Sequence, residues 1–254
     1  ITSLKYFARS IFGLTLISLL TLPCLLTNAT AAGDWFHISG DVSTGKSGIY
    51  PTAIGQPGLP GARQQVVTWV DSADCLWMFG GRGFGESTNG PGSLSDIWKF
   101  DPATNTCYWM GGSKNINSAA VYPVDVGGAG AIGARYGATS WKDNNGNIWV
   151  FGGVGTAISS GRLNDMWMLN SQTLEWTYQG GPKEANDPGN YVGIQQPGTP
   201  AARYDAAGIV TQTSQFLLFG GTGINYEQMN DLWSFDPNTR IWIWLGGHFL
   251  TKQT

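Results

Sequence analysis

The sequence predicts an all-β fold built from three copies of one four-stranded unit. The 254 residues include 37 Gly and 12 Trp, and only 12% of them are charged. This composition, with strand-forming residues between turn residues, is unlike that of helical bundles and coiled coils, which are rich in Ala, Glu, Lys and Leu. A recurring pattern of Arg, Gly-Gly and Asp-x-Trp divides the chain into units.

The amino terminus has the features of an export signal. An apolar run of 16 residues follows Lys5 and Arg9, and the stretch from Ala29 to Ala31 offers a small-x-small cleavage site. An uncleaved anchor is the alternative, but a helix needs about 20 apolar residues to span a bilayer. We therefore expect a signal peptide over residues 1–31. The remainder, 32–254, is expected to be periplasmic, secreted or at the cell surface, without a stable membrane span.

The charge balance argues against nucleic acid as a partner. The net charge of the chain is -3, from 14 basic and 17 acidic residues. Two of the basic residues lie in the first 31 positions, so the remainder carries 12 minus 17, or -5. No basic stripe for a phosphate backbone remains.

Three Gly-Gly pairs define the repeat. The first glycine of each pair lies 17 residues after an arginine, and an Asp-x-Trp motif follows, with another Gly-Gly beginning 13 residues after its tryptophan. The repeated residues are Arg63, Arg135 and Arg203; Gly80-Gly81, Gly152-Gly153 and Gly220-Gly221; Asp96, Asp165 and Asp231; and Trp98, Trp167 and Trp233. The pattern predicts units of four strands, named a to d, over residues 63–112, 135–181 and 203–247, with a lone d strand over 35–40 before them.

These residues resemble the kelch repeat, in which a Gly-Gly pair, an aromatic strand and a downstream Trp build one blade of a β-propeller. The resemblance covers roughly residues 35 to 247 and implies a kelch-type propeller, of the kind found in galactose oxidase and in exported bacterial proteins. Propellers have about four to eight blades. Three units and one strand therefore imply an incomplete or open propeller, which is either a piece of a larger one or half of a ring that a homodimer completes.

We expect the repeated residues to be structural. Each arginine recurs with one aspartate, which favours an ion pair inside every unit over a ring of arginines that binds a carboxylate or sialic acid. Glycine pairs supply backbone angles and close approach that a Cβ would forbid. The tryptophans are expected to fill the space between neighbouring sheets.

Candidate ligand-binding residues lie in the d-to-a linkers and the b-to-c loops, which emerge at the same end of the units. The linkers span residues 41–62, 113–134 and 182–202. Tyr50, Tyr122 and Tyr191 recur in them and could stack on sugar rings or hold the linkers down. Glu86 and Glu227, in b-to-c loops, are the acidic candidates there.

No metal or cofactor site is expected. The run Asp143 to Asn147 alternates oxygen ligands as calcium loops do, but it lacks the closing acidic residue, and its Asn-Gly favours a hairpin turn between strands a and b. Cys75 and Cys107 fall in one unit; they could form a disulfide in an oxidising compartment or remain two buried thiols.

The sequence favours an exported, non-catalytic module that binds a protein or a glycan through its long loops. The alternative is a carbohydrate-active enzyme, similar to sialic acid epimerases or galactose oxidase, or a truncated fragment of one. Galactose oxidase implies a copper site with two histidines and a Tyr-Cys cross-link, whereas this chain has only His37 and His248, neither placed to meet the other. No nucleophile elbow, phosphate loop or metal-spaced histidine cluster occurs.

Overall fold

A computed structural model of the chain describes residues 37–38, 40, 43–86 and 90–248. The secondary-structure elements within these ranges are all β-strands. None of the described residues form a helix that could cross a membrane. The predicted signal peptide and half of the lone d strand predicted over 35–40 lie outside the described residues. In chain order the strands are β1 (Pro57–Gly58), β2 (Arg63–Gln64), β3 (Val67–Val70), β4 (Leu76–Phe79), β5 (Arg82–Gly83), β6 (Gly92–Ser93), β7 (Ile97–Asp101), β8 (Thr106–Gly111), β9 (Ala129–Gly130), β10 (Arg135–Tyr136), β11 (Thr139–Lys142), β12 (Ile148–Thr156), β13 (Ser160–Leu169), β14 (Trp176–Gly180), β15 (Pro197–Gly198), β16 (Ala207–Val210), β17 (Phe216–Thr222), β18 (Gln228–Asp236) and β19 (Ile241–Gly246).

Three antiparallel sheets match the three predicted units, and the all-β kelch-type fold is confirmed. Blade 1 contains β3, β4, β7 and β8; blade 2 contains β11 to β14; and blade 3 contains β16 to β19. Consecutive strands pair in each sheet, so every blade is a four-stranded meander from a to d. In blade 1 the b-to-c connection carries β5 and β6, which form a small sheet with β2.

The linkers add a short fifth strand to each blade. Pro57 pairs with Tyr108 in the d strand of blade 1, Gly130 pairs with Trp176 in blade 2, and Gly198 pairs with Trp242 in blade 3. Each linker thus lies along the outer edge of the blade that follows it. This pairing covers the hydrogen-bonding groups that an exposed edge strand would present.

Aromatic side chains join the blades. Phe79 in strand b of blade 1 packs on Trp176 in strand d of blade 2, with ring centroids 4.9 Å apart. Phe151 in blade 2 meets Trp242 in blade 3 in the same way, at 5.1 Å. The repeated tryptophans at the c strands are fully buried, as expected of core residues.

The glycine pairs allow this close approach. The φ angle of Gly80 is 67°, and a Cβ on it would lie 2.7 Å from the carbonyl oxygen of Arg135 in the next blade. The amide of Gly81 donates to the same carbonyl at 2.9 Å. Any larger residue at Gly80 would therefore strain the backbone and push blade 2 away.

Candidate functional site

An arginine of each unit pairs with the aspartate of the same unit. In blade 2 the guanidinium of Arg135 donates to both carboxylate oxygens of Asp165, at 2.7 and 2.9 Å. It also donates to the carbonyl oxygens of Gly133 and Gly152, at 3.1 Å each. The guanidinium thus ties the start of strand a to the end of strand b and to strand c.

The same bidentate pair occurs in the other two blades. The Arg63 and Asp96 pair has an N–O distance of 2.6 Å, and the Arg203 and Asp231 pair one of 2.7 Å. The arginine side chains are at most 6% exposed. Because the guanidinium groups are enclosed, they do not form a ring open to an anionic ligand.

The linker tyrosines are part of this network. Tyr122 and Trp167 both donate to Oδ2 of Asp165, at 2.8 and 2.6 Å. Tyr50 donates to Asp96 and Tyr191 donates to Asp231, each at 2.6 Å. These hydroxyls hold the linkers on their blades. Linker attachment is one of the two roles expected for these tyrosines, and their hydroxyls take part in it.

The network keeps its charges over the neutral pH range. Burial opposes the ionisation of Asp165, but the charge of Arg135 and the hydrogen bonds that the carboxylate accepts outweigh it, so its pKa lies below the ordinary value. The same balance lowers the pKa of Asp231. Burial and the charge of Asp165 raise the pKa of Tyr122, and burial raises the pKa of Tyr191 to about 12. Each of these tyrosines therefore remains a protonated donor to an ionised carboxylate.

Two lysines that the sequence analysis missed complete the attachment of the linkers. Lys114 donates to the carbonyl oxygen of Pro51 at 2.7 Å, and its ammonium lies 4.7 Å from the ring centroid of Trp109. In blade 2 Lys183 donates to the carbonyl oxygen of Pro123 at 3.0 Å. Both lysines stand three residues after the first glycine of a closing Gly-Gly pair, so their spacing could have revealed them.

The acidic candidates do not meet. Glu86 is exposed and lies 3.6 Å from the ammonium of Lys114. Glu227 accepts a hydrogen bond from the amide of Asn225 at 2.7 Å, within its own loop. One belongs to blade 1 and the other to blade 3. In the described part of the chain, no group of three or more His, Cys, Asp or Glu residues could hold a metal ion.

Cys75 and Cys107, the cysteines of the described residues, are free thiols in the structure. Cys107 is paired across the sheet with Phe100, which in turn pairs with Leu76, so Cys107 and Leu76 share one face of blade 1. Cys75 precedes Leu76 and packs on the opposite face, in the cluster that joins blades 1 and 2. The sheet itself therefore separates the sulfur atoms, and of the two outcomes left open for these cysteines the structure has two thiols.

The run from Asp143 to Asn147 is the turn between strands a and b of blade 2. One carboxylate oxygen of Asp143 accepts the amides of Asn145 and Asn147, both at 2.9 Å, and the other accepts the indole of Trp149 at 2.9 Å. Asp71 holds the corresponding turn of blade 1 in the same way. The carboxylate of Asp143 is thus engaged by protein donors, as in a hairpin turn.

Arginine and tyrosine side chains meet between blades at the end where the b-to-c loops emerge, which we call the loop face (residues 82–86, 90–95, 154–164 and 222–230). The guanidinium of Arg162 in blade 2 lies 4.1 Å from the ring centroid of Tyr226 and 5.8 Å from that of Tyr204, both in the third unit. Arg82 of blade 1 lies 6.0 Å from the ring centroid of Tyr136 in the second unit. These residues could not be identified from the repeat, because the same residue types do not stand at the corresponding positions of all three units.

Comparisons with known proteins agree with this architecture. The family model of the KLHDC2/KLHL20/DRC7 Kelch-repeats domain matches residues 56–246. Among solved structures, the chain is similar to one titled "Structure of YjhT", with a TM-score of 0.50 and 16% sequence identity. The match covers 75% of this chain and 53% of the YjhT chain, so the chain spans about half the length of that protein. No curated protein matches the chain.

Proposed function

We propose, because the chain belongs to the kelch-repeat family, that it is an exported, non-catalytic module that binds a protein or glycan ligand on its loop face. Propeller scaffolds present variable loops on a rigid frame, and the fold alone does not fix their ligand. The residues that recur in every unit stabilise the blades and their linkers. Ligand contacts are therefore sought among the residues that differ between units.

The contact between Arg162 and Tyr226 carries this proposal. Tyr226 is 72% exposed, yet the guanidinium lies 4.1 Å from its ring centroid. The positions that correspond to Arg162 in the other blades hold Ser93 and Gln228, so the cation is particular to blade 2. Arg and Tyr are enriched among residues that contribute most to binding energy. A pre-arranged pair of an exposed tyrosine and a partly buried arginine is thus suited to receive a ligand.

A catalytic role receives less support. The acidic candidates of the b-to-c loops, Glu86 and Glu227, are on different blades, and each is engaged nearby by Lys114 or by the backbone. Export rests on the amino-terminal segment of the sequence. It is tested by the mass of the protein recovered from outside the cytoplasm, which cleavage after Ala31 would reduce by the first 31 residues.

The binding proposal is tested with the full chain on protein and glycan arrays at about 1 μM. A ligand retained there is then measured against two variants. Tyr226→Ala is expected to weaken binding about tenfold or more. Gln212→Ala, at an exposed turn on the other end of blade 3, is the matched control and is expected to bind as the wild type does. A chain that retains no ligand, or a Tyr226→Ala variant that binds normally, would contradict the proposal.

We also propose that two copies of the chain associate through their terminal blades. The outward face of blade 3 exposes Phe219 by 51% and Ile209 by 62%, and the outward face of blade 1 exposes Leu76 by 39%. Position 76 corresponds to Phe216 of blade 3, which is buried against blade 2. The open face of blade 3 therefore corresponds to the face of blade 2 that packs on blade 3, and the open face of blade 1 corresponds to the face of blade 3 that packs on blade 2. Joining them in both copies would give a closed, two-fold ring.

A further inference from the structure

A cavity lies between blades 1 and 2 at the end opposite the loop face. It is formed by the a-to-b turns of both blades and the c-to-d turn of blade 2, and its volume is about 460 Å³. Small-molecule sites typically measure about 300–1,000 Å³. The side chains that line it include Trp69, Trp77, Lys142, Asn144, Asn145 and Gln172.

The cavity is a departure from the repeat. Trp141 of blade 2 stands eleven residues before its Gly-Gly pair, as Trp69 does in blade 1. Phe216 of blade 3 stacks on Trp141, with centroids 5.4 Å apart and planes 5° apart, and Trp141 is only 3% exposed. At the position of Phe216, blade 2 has Ile148, and Trp69 is only partly buried.

Trp69 thus lacks the phenyl ring that covers Trp141, and its side chain lines the cavity. A branched aliphatic side chain is smaller than a phenyl ring and cannot cover an indole face in the same way. The groove between blades 2 and 3 is lined by Trp149 but not by Trp141, which Phe216 covers. Of these two grooves, only the cavity between blades 1 and 2 therefore leaves the tryptophan of strand a open to a ligand.

The indole platform is held in a fixed position. Trp69 stacks on Trp77, with ring centroids 5.8 Å apart and planes 15° apart. The indole nitrogen of Trp77 donates to Asp71 at 2.7 Å, and the same carboxylate accepts two backbone amides of its turn. A ligand that stacks on Trp69 would therefore meet a surface that needs little ordering.

The rest of the lining is mostly polar, with Ala73 and Leu174 as its apolar side chains and Asp71 and Lys142 as its charged ones. Asn144, Asn145 and Gln172 carry amides, and Ser72 and Ser171 carry hydroxyls, at the same cavity. Amides and hydroxyls both donate and accept hydrogen bonds. The ammonium of Lys142 is directed to the carbonyl oxygen of Val70 at 2.8 Å. An aromatic face with a rim of such groups matches a pyranose ring, which has an apolar C–H face and an edge of hydroxyls.

We propose that this cavity binds one neutral pyranose ring of a glycan, stacked on Trp69. The ring occupies the space that Phe216 fills in the neighbouring interface. This site lies at the opposite end of the blades from Arg162 and Tyr226, so it stands or fails independently of the function proposed for the loop face.

The test is titration of the full chain with maltotriose, cellotriose and chitotriose, followed by tryptophan fluorescence and calorimetry. We expect at least one of the three to bind with a dissociation constant of roughly 1 mM or below. Trp69→Ala is expected to weaken that binding about tenfold or more, and Trp69→Phe is expected to restore part of it. Gln212→Ala, in an exposed turn of blade 3 outside the cavity, is the matched control and is expected to leave it unchanged.

Ile148→Phe gives a second, independent test, because it builds into blade 2 the side chain that blade 3 already has. Because Ile148 is 2% exposed and belongs to the cluster on which Trp69 packs, the larger ring is expected to cover Trp69 and abolish saccharide binding, with a modest loss of stability. Circular dichroism separates this result from unfolding. The proposal is overturned if none of the three saccharides binds at about 10 mM. It is equally overturned if folded Ile148→Phe or Trp69→Ala protein binds as the wild type does.

Discussion

Blades 2 and 3 share the same repeated residues, but only blade 2 has a neighbouring blade on the face that carries the phenylalanine before its Gly-Gly pair. Both carry a phenylalanine just before the Gly-Gly pair, and Phe151 is 1% exposed whereas Phe219 is 51% exposed. Phe151 is buried because Trp242 of the next blade packs on it. A single sheet therefore does not bury its own apolar face; the neighbouring blade does. Stability in this molecule depends on the interfaces between sheets as much as on the sheets themselves.

The largest expected effect concerns a contact inside a covered blade. Arg135→Ala leaves the carboxylate of Asp165 buried without its cation, which typically costs about 3–5 kcal/mol of unfolding free energy. Denaturant unfolding measures the loss. Arg82→Ala, which removes an exposed arginine, is the control and is expected to cost less than about 1 kcal/mol. A similarly small loss for Arg135→Ala would contradict the structural role of the ion pair.

The comparison between the two blades is tested directly by a matched pair of substitutions. Phe151→Ala is expected to lower the unfolding free energy by about 3–5 kcal/mol, because it opens a cavity between blades 2 and 3. Phe219→Ala removes a half-exposed ring and is expected to cost less than about 1 kcal/mol in dilute solution. Equal losses would show that Phe219 is covered within a single chain.

A smaller effect is expected for the tyrosine that holds the third linker. Tyr191→Phe removes a hydrogen bond to the ionised carboxylate of Asp231, and bonds to charged groups contribute about 1.5–3 kcal/mol. Tyr226→Phe is the matched control, since its hydroxyl belongs to a residue that is 72% exposed. If thermal unfolding of the two variants is the same, the hydroxyl of Tyr191 does not stabilise the linker.

The pH dependence of stability follows from the same network. The pKa values of Asp165 and Asp231 are lower in the folded chain, so their contribution is present above the unfolded carboxyl pKa of about 3.9 and is lost as the pH falls through the folded values. The pKa of Tyr191 rises from about 10 to about 12, so its contribution is present below pH 10 and is lost as the pH rises towards 12.

We therefore expect a level melting temperature between about pH 5 and pH 9, with a fall on either side. Tyr191→Phe should make the alkaline fall smaller than in the wild type. A fall of equal size in both proteins would mean that Tyr191 does not cause it.

The sequence predicted the parts of the fold whose residues recur in every unit. Arg63 lies 17 residues before Gly80 and Trp98 lies 13 residues before a closing Gly-Gly, as their counterparts do in the other units, so these spacings alone were enough to place the blades along the chain. The fifth strand could not be predicted, because a two-residue strand such as Pro57–Gly58 is too short to show an alternating pattern. This strand attaches each linker to its blade, which is one of the two outcomes that the linker tyrosines predicted.

The candidate sites were harder to predict than the fold. Arg82 pairs with Ser93 in blade 1, and Val154 pairs with Arg162 at the corresponding place in blade 2. The two arginines therefore lie on opposite strands of the pair, and no shared sequence spacing predicts them. The cavity beside Trp69 depends on which side chain of the next blade faces it, and only the pairing of blades reveals that Ile148 replaces Phe216. A repeat in the sequence thus identifies the frame, and departures from it at the interfaces identify the candidate sites.

The measurement that tests most directly whether a blade face requires a neighbour is the solution mass of the full chain by light scattering, with and without Phe219→Glu. We predict a mass of two chains for the wild type and of one chain for the variant, because a charge on the open face of blade 3 opposes its burial against blade 1 of a second copy. A wild-type chain that stays monomeric at the same concentration would contradict the association of terminal blades.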